Sequence, residues 1–199
     1  MRASSASARW RISWRVSDEV GDHDRAGVGD DPPAGVGRPE TPTGSLRADL
    51  PVGSFVCPDD FVALHLGLSL SDGHGGERVP GFDPEWRSRV VAAWARVPEP
   101  PLVDGGVYWQ AIGPRFETPA EIRMIATHAD VIGMTAASEC ILAGEMETPY
   151  AVVCVVDNLA NGIAAEPLSV AEFEAGKERN RALLTSAIDA VAADLGGTG

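Results

Sequence analysis

Gly113-Pro-Arg-Phe-Glu-Thr-Pro-Ala-Glu121 decides how the chain is read. Its second half, Thr118-Pro-Ala-Glu121, is a capping box with proline at the first helical position. The threonine oxygen can accept from the third helical N–H while the glutamate reaches back to the N-cap. A helix therefore starts here and is expected to run to about His128. Just upstream, Gly106 to Ile112 reads as a strand. The stretch is thus a strand-to-helix connection, and in α/β proteins ligands bind at the carboxyl ends of strands.

The alternation continues outward. Asp130 to Gly133 reads as a short strand, and Thr135 is placed to cap a helix running to about Met146. Pro149 to Val156 is apolar and rich in β-branched residues, so it reads as a strand. Leu168-Ser169-x-x-Glu172-Phe173 combines a capping box with a hydrophobic staple. The last helix runs to Leu195, with Leu184, Ile188, Val191 and Leu195 on one face and Gly196 as its stop. Upstream, Pro84 to Val97 is a helix with Asp83 as N-cap, and Trp86, Val90, Val91, Trp94 and Val97 repeat at helical spacing. Ser54 to Pro58 reads as a short buried strand and Phe61 to Leu70 as a strand or packed loop. Ser71 to Gly81 reads as a glycine-rich surface loop. The order from Gly106 predicts an α/β fold: a mixed or largely parallel sheet flanked by helices.

The start of the chain has another character. Residues 21–40 hold five glycines, three prolines and four aspartates with no period of 2 or 3.6. Residues 1–43 are therefore expected to be irregular or disordered, and 44–199 to form the domain. The four arginines and absent acids of residues 1–17 mimic a transit peptide, but there is no apolar core of a secretory signal, so targeting is not expected.

The net charge of −13, from 29 acidic and 16 basic residues, argues against a nucleic-acid or anionic-membrane surface. It leaves room for a small anionic ligand, which local backbone N–H groups can hold. No run of 18 apolar residues is present, so no membrane span is expected. Cys57, Cys140 and Cys154 form no CxxC pair and sit in apolar runs. They read as buried free thiols, which fits a reducing cytoplasm. HExxH, G-x-S-x-G, P-loop and G-x-G-x-x-G motifs are missing, and the histidines show no metal spacing.

Several residues at strand ends bear chemistry, each with a bland alternative. Phe116 can stack on a flat heterocycle and Glu117 can accept from ring N–H groups; alternatively they are a core phenylalanine and a carboxylate at a helix N-terminus. Met134 and Thr135 offer an apolar surface and a hydroxyl where phosphate or a sugar would sit, or a core methionine and an N-cap. Asn158, after the most buried-looking strand, offers donors and an acceptor, or is a turn residue, as Asp157 is too. His74 lies in the glycine loop and can be merely solvated.

Taken together, Gly113-Pro-Arg-Phe-Glu-Thr-x-Ala-Glu121, Gly133-Met-Thr135 and Val156-Asp-Asn158 resemble the purine nucleoside and methylthioadenosine (methylthioinosine) phosphorylase family. Gly44-Ser-Leu-Arg-x-Asp-Leu-Pro-Val-Gly-Ser-Phe-Val56 resembles an upstream segment, so the likeness covers about Gly44 to Leu195. It implies phosphorolysis of purine nucleosides, with inorganic phosphate as co-substrate, no metal or organic cofactor, and a homotrimer whose neighbours help complete each site. Phe116 would stack on the purine, Met134 line the ribose and Thr135 contact phosphate or sugar. His74 would lie near the sugar's 5′ position. Asn158 would face the base and help catalysis, and asparagine there goes with 6-oxopurines. Two departures stand out. Asp157 replaces a threonine or small residue near the phosphate. The family's phosphate loop and arginine-histidine segment have no counterpart before Gly44, so the N-terminal portion of the fold reads as missing. Residues 1–43 are accordingly expected to be off-frame or mis-started translation, which the upstream DNA would reveal. A nucleoside hydrolase and a non-catalytic purine-binding remnant are the competing functions.

Overall fold

The computed structural model describes residues 41–70, 78–164 and 169–196. Eleven elements follow one another: β1 (Thr41–Ser45), β2 (Phe55–Cys57), β3 (Asp60–Val62), α1 (Pro84–Trp94), β4 (Leu102–Asp104), β5 (Val107–Gln110), α2 (Pro119–Ile125), β6 (Val131–Gly133), α3 (Ala136–Glu145), β7 (Cys154–Leu159) and α4 (Val170–Gly196). The strands form one sheet in the order β3-β5-β6-β1-β7-β2-β4. It is mixed: β1 runs parallel to β7 but antiparallel to β6, and β2 runs antiparallel to β7 but parallel to β4. The β3–β5 and β5–β6 pairs are parallel.

Period-2 alternation builds the two faces. In β2, Phe55 and Cys57 pack with Trp86, Val90 and Trp94 of α1 and with Leu184 and Val191 of α4, while Val56 packs on the opposite face. Val153 and Val155 join the first cluster; Cys154 and Val156 join the second, with Tyr108, Ala136, Ala137 and Cys140 of the α3 side. A third cluster sets Ile122 and Ile125 of α2 against Ile132, Ala111 and Leu46. The Trp94 indole N–H is satisfied at 2.9 Å by the Pro100 carbonyl, so the largest buried ring carries no orphan donor.

The α1 cap is as expected: Asp83 accepts from Trp86 N–H, with Pro84 in the first turn. The α4 face is also as expected, with Leu184, Val191 and Leu195 buried and Ile188 half-buried. All three cysteines are buried and unpaired. Five expectations change. Strand β1 begins at Thr41, within the segment expected to be irregular, and β4 was not foreseen. The strand expected at 149–156 is displaced to Cys154–Leu159, so Asp157 and Asn158 lie inside β7 and not in a turn. Thr135 is N-cap by position, but its side chain makes no capping hydrogen bond. Helix α2 ends at Ile125, three residues early. His74 and Leu168 fall outside the described residues.

Candidate functional site

The end of β5 organises half of the site. Tyr108 and Gln110 point to the α3 face, two residues apart. The Tyr108 hydroxyl accepts from Thr135 N–H (3.1 Å) and Ala136 N–H (3.3 Å). The Gln110 carbonyl oxygen accepts from Ala137 N–H (2.8 Å) and Ser138 N–H (3.1 Å), and its amide nitrogen donates to the Met134 carbonyl and to Ser138 Oγ. Two β5 side chains thus cap α3, which explains why Thr135 does not. The backbone N–H groups that an anion would use there are already engaged, so the sequence argument for phosphate at this helix N-terminus fails. Any contact Thr135 makes with a ligand must come from its exposed side chain. Burial pushes the Tyr108 phenol well above its ordinary pKa, so it stays protonated.

The same strand feeds the 111–118 loop, which is held at three points. Gly113 has φ +67°, and a Cβ there would lie 2.7 Å from Met134 Sδ. Only glycine allows that backbone with Met134 laid against it. Arg115 donates to both Glu121 carboxylate oxygens, at 2.9 and 2.8 Å. Glu121 also accepts from Thr118 N–H at 2.7 Å while Thr118 Oγ1 accepts from Glu121 N–H, so the foreseen capping box is present. These bonds hold the Glu121 carboxyl down at about 2, the Arg115 bond foremost. At the third point, Asn161 Nδ2 donates to the Glu117 carbonyl at 2.9 Å, tying the loop to the end of β7.

On this clamped loop Phe116 is 41% exposed, which removes its reading as a core residue. Its ring meets Phe173 of α4 edge-on, with centroids 6.0 Å apart. Met134 is likewise exposed at 56%, not core. Glu117 is half-buried, and desolvation raises its pKa. Helix α2 is capped by Thr118 and Glu121, so Glu117 is not needed there, and its carboxylate has no ion pair among the described residues.

At β7 the pairing with β1 steps from Thr43↔Val156 to Gly44↔Asn158. Asp157 is the extra residue of a bulge, and bulges break the strict alternation of faces. Asp157 is 2% exposed and directs Oδ1 to Asn180 Nδ2 of α4 at 2.6 Å. Its Oδ2 is buried with no partner among the described residues. Desolvation pushes its carboxyl up to about 6, opposed by the Asn180 bond and by Lys177 and Arg179. Asn158 is 8% exposed; its Nδ2 donates to the Leu159 carbonyl at 3.1 Å and lies 3.1 Å from where a Gly44 Cβ would be.

The structure therefore joins Phe116 and Glu117 to the end of β7 through Asn161, and Met134 to the same loop through Gly113. Tyr108, Gln110, Asn161, Phe173 and Asn180 were missed from the sequence as site-building residues. For Gln110 a signal existed, a polar residue ending an otherwise apolar strand. A cavity of about 470 Å³ lies elsewhere, between α1 and the end of α3, with Arg78, Phe82, Cys140 and Tyr150 among its walls. None of the described candidate residues lines it. Among the described residues there is no group of three His, Cys, Asp or Glu able to hold a metal, and no helix long and apolar enough to cross a membrane.

Comparison with known proteins adds the family. A probable 6-oxopurine nucleoside phosphorylase of Archaeoglobus fulgidus is 38% identical over 149 residues, covering 74% of this chain and 61% of the relative. A probable S-methyl-5′-thioinosine phosphorylase of Methanothermobacter thermautotrophicus is 40% identical, covering 76% of this chain and 54% of the relative. The crystal structure of Schistosoma mansoni purine nucleoside phosphorylase in complex with adenosine superposes with a TM-score of 0.65 at 25% identity, over 76% of this chain and 59% of that one. The chain thus spans between half and two-thirds of the length of these relatives. Residues 42–193, from within β1 to near the end of α4, match the model of the Phosphorylase superfamily, and the chain belongs to that family.

Proposed function

We propose that the chain carries the nucleoside-binding part of a purine nucleoside phosphorylase, a pentosyltransferase, with 6-oxopurine nucleosides or 5′-methylthioinosine as substrates. The observation that carries this is Phe116-Glu117: an exposed ring and a half-buried carboxylate without an ion pair among the described residues, on a loop clamped by other residues. Phe116 stacks on the purine. Glu117 accepts the N1–H that a 6-oxopurine has and adenine lacks. Asn158 donates to N7 or O6 as the base departs. Met134 lines the ribose, the Thr135 side chain meets phosphate or a sugar hydroxyl, and His74 contributes near the 5′ position.

In phosphorolysis a phosphate oxygen bonds to the anomeric carbon as the C–N bond breaks. The bonding pair leaves on the purine, and the sugar passes through an oxocarbenium-like state. Hydrogen bonds aimed at the developing purine charge lower the barrier. Inorganic phosphate is the co-substrate, and no metal or organic cofactor enters. We place the protein in the cytoplasm, in purine salvage, as a homotrimer without nucleic-acid or membrane partners.

The test incubates the purified chain with inosine, guanosine, 5′-methylthioinosine and 5′-methylthioadenosine, with and without phosphate. Phosphate-dependent release of the 6-oxopurines is expected. Release without phosphate would make it a hydrolase. A ligand-dependent thermal shift with no base released would make it a purine-binding remnant. Preference for methylthioadenosine would overturn the roles of Glu117 and Asn158. Glu117→Gln is expected to lower kcat/KM for guanosine by roughly 100-fold. Because burial raises the Glu117 pKa, the wild type should lose activity on acidification at a higher pH than an ordinary glutamate would allow.

A further inference from the structure

We propose that Asp157 and Asn180 are a positioning pair that holds the β7 bulge and so aims the Asn158 amide at the base; this rests on the purine-site reading above. Asn180 is buried in α4, and its Nδ2 donates both to the Val156 carbonyl (3.0 Å) and to Asp157 Oδ1 (2.6 Å). These two acceptors are the last residue before the β1–β7 register step and the extra residue at the step itself. Helix α4 is pressed onto the same point: a Cβ on Gly176 would stand 1.9 Å from the Asp157 carbonyl oxygen, so only glycine lets the helix approach. The Gly53 N–H bond to the Val156 carbonyl (2.8 Å) anchors the strand before the bulge, and the Ala160 N–H bond to the Ser45 carbonyl (2.9 Å) anchors it after.

The alternative register shows what the pair does. Without the extra residue, Gly44 would face Asp157 in place of Asn158. A one-residue slip exchanges which side chain faces a site. An acceptor-only carboxylate would then stand where an amide donor is needed for O6 or N7. One buried Asp157 oxygen is unsatisfied among the described residues, and such an atom costs stability. Its use is to be drawn toward α4, which leaves Asn158 as the residue at the site.

The experiment uses ¹⁵N-labelled full chain, with amide hydrogen exchange at Val156 and Ala160 and titration with guanine and with adenine. Asn180→Ala is expected to lower Ala160 protection at least tenfold while Val156 changes less than threefold. It is also expected to reduce the preference for guanine over adenine at least tenfold. Asn180→Ser, which restores one donor, should recover part of both. The double variant Asp157→Ala/Asn180→Ala leaves no buried charge behind and keeps the test open if Asn180→Ala does not fold; it should show the same two losses. Unchanged Ala160 protection, or equal loss at Val156 and Ala160, overturns the pair as a hold on the bulge. Lost protection with an unchanged base preference overturns its role in aiming Asn158. Should the wild type bind neither base, the purine-site reading fails, and the exchange data still decide whether the pair sets the register.

Discussion

The ends of β5 and β7 treat their polar atoms in opposite ways. At the end of β5, Gln110 makes four hydrogen bonds and the Tyr108 hydroxyl accepts two, so the start of α3 is fully engaged. Among the described residues, at the end of β7, Asp157 keeps one buried oxygen without a partner and the Asn158 amide bonds only to the next carbonyl of its own strand. The first arrangement fixes structure: each buried donor it satisfies would otherwise cost free energy. The second leaves hydrogen-bonding capacity that nothing in the described fold uses. Satisfied polar atoms explain the scaffold, and the spare donor and acceptor of Asn158 mark where a ligand has work to do.

The contrast can be broken first at its saturated side. Gln110→Leu strips the caps from Ala137 and Ser138 N–H and should cost about 4 kcal/mol, measured by urea denaturation. A loss below about 1 kcal/mol would mean that α3 finds another cap. The β7 side is sharpened by pH. The Asp157 carboxyl is raised from 3.8 to about 6 in the folded chain, so the native state holds this proton more tightly than the unfolded one. Its contribution is therefore favourable below about pH 4 and declines as pH rises through 6, by about 3 kcal/mol in all. Asp157→Asn should remove that slope from the stability–pH curve; an identical slope in the variant would assign it to other groups.

Smaller effects test how the loop is held between the two strand ends. Gly113→Ala forces a left-handed φ on alanine and pushes Met134 aside, at about 2 kcal/mol, with a rise in KM for nucleoside larger than any change in kcat. Thr118→Ala removes a cap side chain and should cost about 1 kcal/mol by thermal melting. If Thr118→Ala matched Gln110→Leu, the ranking of the two caps would be wrong.

The parts legible in the sequence were those whose causes are local. The Thr118–Glu121 box needs only residues three apart, and the Asp83 cap and the apolar faces of α1 and α4 follow from helical spacing. Strand β1, Thr41-Pro-Thr-Gly-Ser45, contains proline and glycine and has no local signature; it is a strand because β6 and β7 pair with it. The apolar run 149–156 announced burial, which is not the same as ladder pairing, so the β7 boundaries shifted. Thr135 had the right residue type for a cap, but Gln110, 27 positions upstream of Ala137, took the role. In the candidate site, Phe116, Glu117, Met134 and Asn158 were visible as residue types at strand ends. The bulge that separates Asp157 from Asn158, and the Asn180 that holds it, depend on register and are invisible to spacing.

The central place of β1 has a consequence for the order of folding. Within the described sheet it joins two groups of strands, β3-β5-β6 and β7-β2-β4, whose hydrogen-bonded ladders meet only through it. Thr43 donates its hydroxyl to the carbonyl of Val155, 112 positions away. A ribosome releases β1 long before β7 exists, so the strand must wait as an unpaired segment while both partners are synthesised. Closing so long a loop is entropically slow. The final union of the two half-sheets is therefore expected to limit the folding rate, and until then β1 is the segment most open to capture by another chain.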